Sequence, residues 1–179
     1  MMAASAPPAK CEALSLCGRL YKAADVRPLH EPLHEDASCG LRKAIEAVGE
    51  RWAFMILRAS YNGLSHFEEF QASLGIARNI LASRLARLVD QGILSRHAVD
   101  SDRRKIDYRL TAKGRDLIIA MVALRQWGER WSLDVPPDPV LCDRRDRRPI
   151  QRISALSHDG RALAWEDMEW RRADEVQSG

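Results

Sequence analysis

Residues 65–110 read SHFEEFQASLGIARNILASRLARLVDQGILSRHAVDSDRRKIDYRL, and three patterns succeed one another within them. Ser65 has Glu68 three residues on, the spacing of a capping box at a helix start. Phe67, Phe70 and Leu74 follow at i, i+3 and i+7, so a short helix runs to Gly75. A second helix follows at once, about residues 77–91, with Gly92 closing it. Its apolar stripe is Leu81, Leu85 and Leu88. At about 100° per residue, Asn79, Ala82, Ser83, Ala86 and Arg87 fall on the opposite face, with Arg78 in the first turn. Two helices joined by so few residues make a helix-turn-helix. Then the period changes. Residues 93–99 are strand-like, 100–105 read as a charged loop, and 106–110 alternate with period 2 as a returning strand. A helix-turn-helix followed by a basic-tipped hairpin is a winged helix, a mainly α fold with a small β-hairpin wing (α+β).

The flanks extend this pattern. Leu41, Ala44, Ile45 and Val48 repeat at helical spacing up to Gly49, and Trp52, Met55, Ile56 and Ala59 share a face of a helix ending near Ser60. Asn62-Gly63 is a turn. Downstream, Thr111 caps a long predicted helix from Ala112 to about Trp131. It carries Leu117, Met121, Leu124, Trp127 and Trp131, with Ile118, Ile119 and Val122 beside them. That apolar sector is wider than one small domain covers, which points to a second subunit.

The 179 residues suit one compact domain with tails. With 46% hydrophobic and 30% charged residues the chain reads as globular. No apolar run approaches the roughly 18–20 residues of a membrane span. No basic start followed by an apolar core opens the chain, so no secretory signal is expected. Cys11, Cys17, Cys39 and Cys142 are scattered without pairing, which suits a reducing cytoplasm. The organisation expected is a flexible arm over 1–37, a DNA-binding and dimerisation domain over 38–132, and an extension over 133–179. The arm is broken by Pro7, Pro8, Pro28 and Pro32, with a short helix around Glu12–Ala23. The extension begins with a Pro- and Arg-rich connector, 134–149. Short strands follow around a turn at His158-Asp159-Gly160.

Charge narrows the partner. The chain carries a net +3, yet residues 41–131 hold 16 basic against 10 acidic groups, and residues 75–115 hold 10 against 4. A local basic stretch in a near-neutral chain can be an electrostatic footprint for nucleic acid. The major groove accepts one helix, read by side chains near its N-terminal half. Arg78 suits guanine edges or phosphate, Asn79 can pair bidentately with adenine, and Ser83 serves base or phosphate. Ala82 and Ala86 let the helix lie deep. Arg84 and Arg87, further along, are expected at phosphates. Arg103, Arg104 and Lys105 on the wing are expected at the minor groove or backbone. A solvated helix face beside a charged hairpin is the plain alternative. The short helix before and the basic hairpin after it weigh against that.

The run from about Cys39 to Trp131 resembles the HxlR family of bacterial transcriptional regulators, relatives of the MarR group. The residues carrying the resemblance are Gly49-Glu50-Arg51-Trp52, Phe67-Glu68-Glu69-Phe70, Gly75-Ile76-Ala77-Arg78-Asn79, Arg84-Leu85, Tyr108-Arg109-Leu110-Thr111, Lys113-Gly114 and Gln126-Trp127. The resemblance implies a winged helix that dimerises through terminal helices and binds two-fold DNA sites. It makes residues 77–91 the recognition helix and gives the 41–49 and 112–131 helices to the dimer. The interface candidates are then Leu41, Ile45, Leu117, Met121, Leu124, Trp127 and Trp131. Many members place a cysteine just before the first core helix, often followed by proline, and in several it senses oxidants or electrophiles. Cys39 stands there, followed by Gly40 in place of the proline. A sensor thiol needs exposure and a cationic or helix-start setting, and Arg42 and Lys43 lie close behind. The competing role is a small residue packed at a dimer interface.

His30, His34 and Cys39 have metal-ligand types, but Pro32 stands between the histidines and no fourth ligand is evident, so no metal is assigned. The other cysteines read as incidental thiols, although one could resolve an oxidised Cys39. Trp52, Trp127 and Trp131 read as core or interface, or as the lining of a pocket for a flat effector. No phosphate loop, GxSxG or HExxH occurs, and no enzyme or cofactor is expected. The expected protein is a homodimeric regulator, most simply a repressor on a palindromic operator, released by a thiol oxidant or small molecule. The competing class is a protein-interaction or architectural module that keeps the fold without specific DNA readout.

Overall fold

The structure, a computed structural model, describes residues 39–99, 102–132, 137–171 and 173–176. The arm with its expected 12–23 helix, Cys11, Cys17, His30 and His34 lies outside the described residues, as does the wing tip at 100–101. The described residues fall into two compact units divided between Ile153 and Ser154.

In the larger unit the order is α1 (Gly40–Val48), α2 (Arg51–Tyr61), α3 (Phe67–Leu74), α4 (Arg78–Asp90), β1 (Leu94–Val99), β2 (Asp102–Leu110), α5 (Ala112–Asp116) and α6 (Ile118–Ser132). This is a winged helix-turn-helix. The core forms where the helical stripes meet: Ile56, Leu57, Phe70, Leu81, Leu85, Leu88, Ile93 and Leu94 are each fully enclosed. Trp52, Phe67, Leu74, Tyr108, Leu110 and Leu117 pack around them. Each enclosed side chain of this size contributes about 1.5–3 kcal/mol through burial.

Three local expectations are corrected. The cap of α3 is His66, one residue later than Ser65. Glu69, not Glu68, reaches back, its Oε2 accepting the Ser65 and His66 N–H groups at 2.9 Å each. The wing is longer than its hydrophobic alternation suggests. β2 begins at Asp102, so the basic run lies on a strand instead of in a loop. Pairing runs from Leu94↔Leu110 to Ala98↔Ile106 and then jumps to Val99↔Asp102, leaving Arg103, Arg104 and Lys105 as the unpaired bulge of β2. Finally, the long C-terminal helix is two helices that break at Leu117. The Tyr61 hydroxyl donates to the Gly114 carbonyl at 2.6 Å, the group that an unbroken helix would offer to the Ile118 N–H.

After α6 the connector folds into a turn closed by a bridge between Cys142 and Pro149. In the smaller unit the expected strands reduce to a single bridge, Leu156↔Ala162, around the 158–160 turn, where Gly160 takes φ 83°. Two one-turn 3-10 helices follow, Trp165–Asp167 and Ala173–Glu175.

Candidate nucleic-acid interface

The recognition element is built from α3, a three-residue turn and α4. Gly75 supplies the left-handed conformation that ends α3, with φ 60°. Ile76 then drops into the core at 3% exposure and pins the turn. Ala77 caps α4. With Leu81, Leu85 and Leu88 buried, α4 turns Arg78, Asn79, Ala82, Ser83 and Ala86 to solvent. Among the described residues Asn79 and Ser83 have no hydrogen-bond partner in the protein. The Arg78 guanidinium lies over the Phe67 ring, 4.7 Å from its centroid, which steadies it across the start of α3 without neutralising it.

Arg84 and Arg87 sit differently from the sequence expectation. Arg84 Nε is 2.6 Å from Glu50 Oε2, a close ion contact out of line for a hydrogen bond. Arg87 reaches Glu50 Oε1 at 3.3 Å and donates to the Glu46 carbonyl. Both arginines therefore contact the α1–α2 corner in the free chain. Glu50 belongs to the Gly49-Glu50-Arg51-Trp52 motif. The arginines at i and i+3 on α4 were the only sequence signal that could have suggested a shared carboxylate.

The wing is tied to α3 by a contact that periodicity did not indicate. His66 bridges Asp107 as a one-residue third strand. The Tyr108 N–H donates to the Ser65 carbonyl at 2.8 Å, and His66 Nδ1–H donates to the Ile106 carbonyl at 3.1 Å. Asp107 accepts from Arg109 Nε at 2.7 Å. Burial alone would raise the Asp107 carboxyl pKa, but the hydrogen bonds of Arg109 and Ser65 and the charges of Arg109 and His66 hold it below the usual range. Lys105 is exposed, as are Arg96 and His97 on β1. Arg103 and Arg104 lie on β2, but their side chains are outside the described ones.

The far end of α4 explains another motif. The Thr111 hydroxyl donates to the Gly92 carbonyl at 2.7 Å and accepts the Gly114 N–H at 3.1 Å, so it closes α4 while capping α5. Lys113 Nζ donates to the Gln91 carbonyl at 2.7 Å. Gly114 is buried, and a Cβ there would stand 2.2 Å from the Ile93 carbonyl oxygen. Thr111, Lys113 and Gly114 thus lock the recognition helix to the wing and to α5.

The remaining candidates divide by exposure. Cys39 caps α1, its Sγ accepting the Arg42 N–H at 3.5 Å, and it is half-buried. Leu41, Ile45, Leu124, Trp127 and Trp131 are 63%, 57%, 53%, 61% and 57% exposed, so these faces of α1 and α6 are open among the described residues. Met121 is half-buried, and Leu117 packs on the core. Cys142 is exposed. Among the described residues no three His, Cys, Asp or Glu converge as a metal site, and no helix is long and apolar enough to cross a membrane.

Comparison with known proteins agrees with this architecture. The model of HxlR-like helix-turn-helix proteins matches residues 47–135. Rv3095 of Mycobacterium tuberculosis H37Rv, an uncharacterized HTH-type transcriptional regulator, is 45% identical over 99 residues, 55% of this chain and 62% of that protein. The chain thus spans less than two thirds of the length of this relative. The solved structure of PA1607, a candidate transcription factor, is 38% identical with a TM-score of 0.72, covering 78% of this chain and 98% of that one. PA1374 from Pseudomonas aeruginosa, also a candidate transcription factor, is 33% identical with a TM-score of 0.56, covering 78% and 96%. The coverage of both structures exceeds the span of the family match, so the likeness reaches past the winged helix. By its helix-turn-helix, its wing and this match, the chain belongs to the HxlR-like helix-turn-helix family.

Proposed function

We propose that the protein acts in the cytoplasm as a homodimeric repressor. Its two α4 helices would enter successive major grooves of an imperfect palindrome, about 34–36 Å apart. The observation that carries this reading is the outer face of α4. Among the described residues Asn79 and Ser83 stand exposed without hydrogen-bond partners, and Arg78 is braced by stacking on Phe67. Asn79 reads adenine, Arg78 reads guanine or phosphate, and Ser83 takes either. Lys105, Arg103 and Arg104 on the wing meet the backbone or minor groove. A second copy of the chain covers Leu41, Ile45, Leu124, Trp127 and Trp131, with Met121 at the edge of that strip.

Release follows from a change in dimer geometry triggered at Cys39 by an oxidant, or by a small molecule. Cys39 begins α1, and the Glu46 carbonyl near the end of the same helix holds Arg87 of α4. A modification that shifts α1 therefore acts on the recognition helix through a packed contact. The signal must favour one dimer geometry over the other for binding to weaken.

The test is selection of DNA from a random pool, followed by mobility shift with and without diamide for wild type and Cys39→Ser. Selective binding to a two-fold site, lost with diamide in wild type and kept in Cys39→Ser, is the expected result. Indifference of wild type to diamide removes the thiol trigger and leaves the small molecule. Failure to enrich any sequence removes the regulator reading in favour of an interaction module.

A further inference from the structure

The connector between α6 and the smaller unit carries charge that the winged helix does not use. Residues 143–148 read DRRDRR, and Arg152 follows shortly after. A mixed run of this kind is usually a self-neutralised surface loop, but here, among the described residues, neither aspartate pairs with a guanidinium group. Asp143 Oδ1 accepts the Arg145 backbone N–H at 2.7 Å, and Asp146 Oδ1 accepts the Arg148 N–H at 2.9 Å. Each carboxylate shapes the turn, and four arginines against two aspartates leave the run at +2. Among the described residues the guanidinium groups of Arg144, Arg145, Arg147 and Arg148 form no ion pair, and all four residues are exposed.

The turn is also held in one shape. The Asp143 N–H donates to the Arg148 carbonyl and the Arg147 N–H to the Asp143 carbonyl, both at 2.8 Å, and the Ile150 N–H donates to the Leu141 carbonyl at 3.1 Å. Arg147 sits at φ 59°, a left-handed conformation that a non-glycine residue adopts only when its surroundings impose it. Both legs are fastened to α6. Arg125 donates to the Pro139 carbonyl. Gln126 donates to the Gln151 carbonyl at 3.1 Å and accepts the Ile153 N–H at 2.8 Å. The backbone of the turn is already fixed, so a polyanion would have to order only the four arginine side chains on binding.

We propose that the 142–149 turn is a second nucleic-acid contact, gripping duplex phosphates beyond those reached by α4 and the wing. The inference rests on the DNA-binding reading above, since that reading selects duplex DNA over an acidic protein as the polyanion. The contact carries no sequence information. It adds affinity, salt dependence and length of site.

The experiment uses the full chain and a variant with Arg144, Arg145, Arg147 and Arg148 all changed to glutamine, plus a second with all four changed to lysine. Thermal melts confirm that both fold. Binding is measured against salt on a selected operator duplex and on a random-sequence duplex of equal length. The glutamine variant should lose roughly 0.9 from the salt slope per phosphate contact, up to about 3.6 for four, on both duplexes. The lysine variant should keep the slope, and sequence preference should be unchanged throughout. An unchanged slope in the glutamine variant overturns the proposal and leaves an acidic protein surface as the turn's partner. If wild type prefers no sequence, the regulator reading fails, while the random duplex still decides whether the turn grips DNA.

Discussion

Gly114→Ala tests the packing logic that holds the recognition helix in place. The added Cβ would lie 2.2 Å from the Ile93 carbonyl oxygen and 3.1 Å from Leu110 Cδ2. An ordinary contact needs roughly another ångström, and the obstructing atom is backbone, so no rotamer change relieves it. The same Ile93 carbonyl accepts the Thr111 N–H at 3.1 Å and lies 3.1 Å from the Thr111 hydroxyl oxygen, so moving it disturbs the cap of α5. Overpacking costs about 1–3 kcal/mol, and a disturbed hydrogen bond about 0.5–1.5 kcal/mol. Helix propensity returns about 1 kcal/mol. The net loss is about 0.5–3.5 kcal/mol, or roughly 1–14 °C in Tm for a chain of this size. Gly128→Ala in α6 is the matched control, since its Cβ meets nothing within 4 Å. It should gain about 0.5–1 kcal/mol. Both variants should be unfolded in urea at one fixed protein concentration, since the stability of a dimer would depend on concentration. A shifted midpoint at constant slope is the expected signature. If Gly114→Ala stays within about 0.3 kcal/mol of wild type, or both variants move in the same direction, the close-approach argument is wrong.

Four further outcomes are expected. Arg78→Ala and Asn79→Ala should each cost about 1–3 kcal/mol of binding to the selected site while leaving the melt unchanged, and intact discrimination in both would remove α4 from base reading. Glu50→Gln should lower stability by no more than about 1 kcal/mol, because the paired arginines are partly solvent-screened, and the effect should shrink at high salt; a salt-independent loss would speak against the ion pairs. The Glu69 carboxyl is held below its ordinary value by the Ser65 and His66 N–H groups. A depressed folded pKa stabilises above the unfolded carboxylate pKa and is lost as pH falls through the folded value, so stability should decline in acid. Glu69→Gln should flatten that acid limb, and an identical limb in both proteins would refute the assignment. Trp127→Arg should give a folded monomer in sedimentation where wild type is a dimer, whereas a monomeric wild type at micromolar concentration would leave the exposed strip unexplained.

The winged helix was legible because its signals are local and periodic. Leu81, Leu85 and Leu88 recur at the spacing that one buried helix face requires, and Gly75 and Gly92 mark the left-handed turns at either end. The outward set Arg78, Asn79, Ala82, Ser83 and Ala86 followed from that stripe by geometry alone. Contacts between elements were not legible in this way. Helical period separates the faces of α4, but it does not say that Glu50, more than thirty residues upstream, would pair with Arg84 and Arg87. The cap at His66 depends on pairing with Asp107 across the fold, and the break at Leu117 on a hydroxyl from Tyr61. The basic run at 103–105 looked like a loop because charge hides strand character, yet β2 carries it as an unpaired bulge between the paired positions Asp102 and Ile106. In the connector, composition showed arginines and aspartates side by side. Only the folded turn, by binding the aspartates to its own backbone, left the arginines unpaired. Local chemistry sets which face of a helix is buried, while the partner of a charged side chain is set by whatever the rest of the chain brings within hydrogen-bond reach.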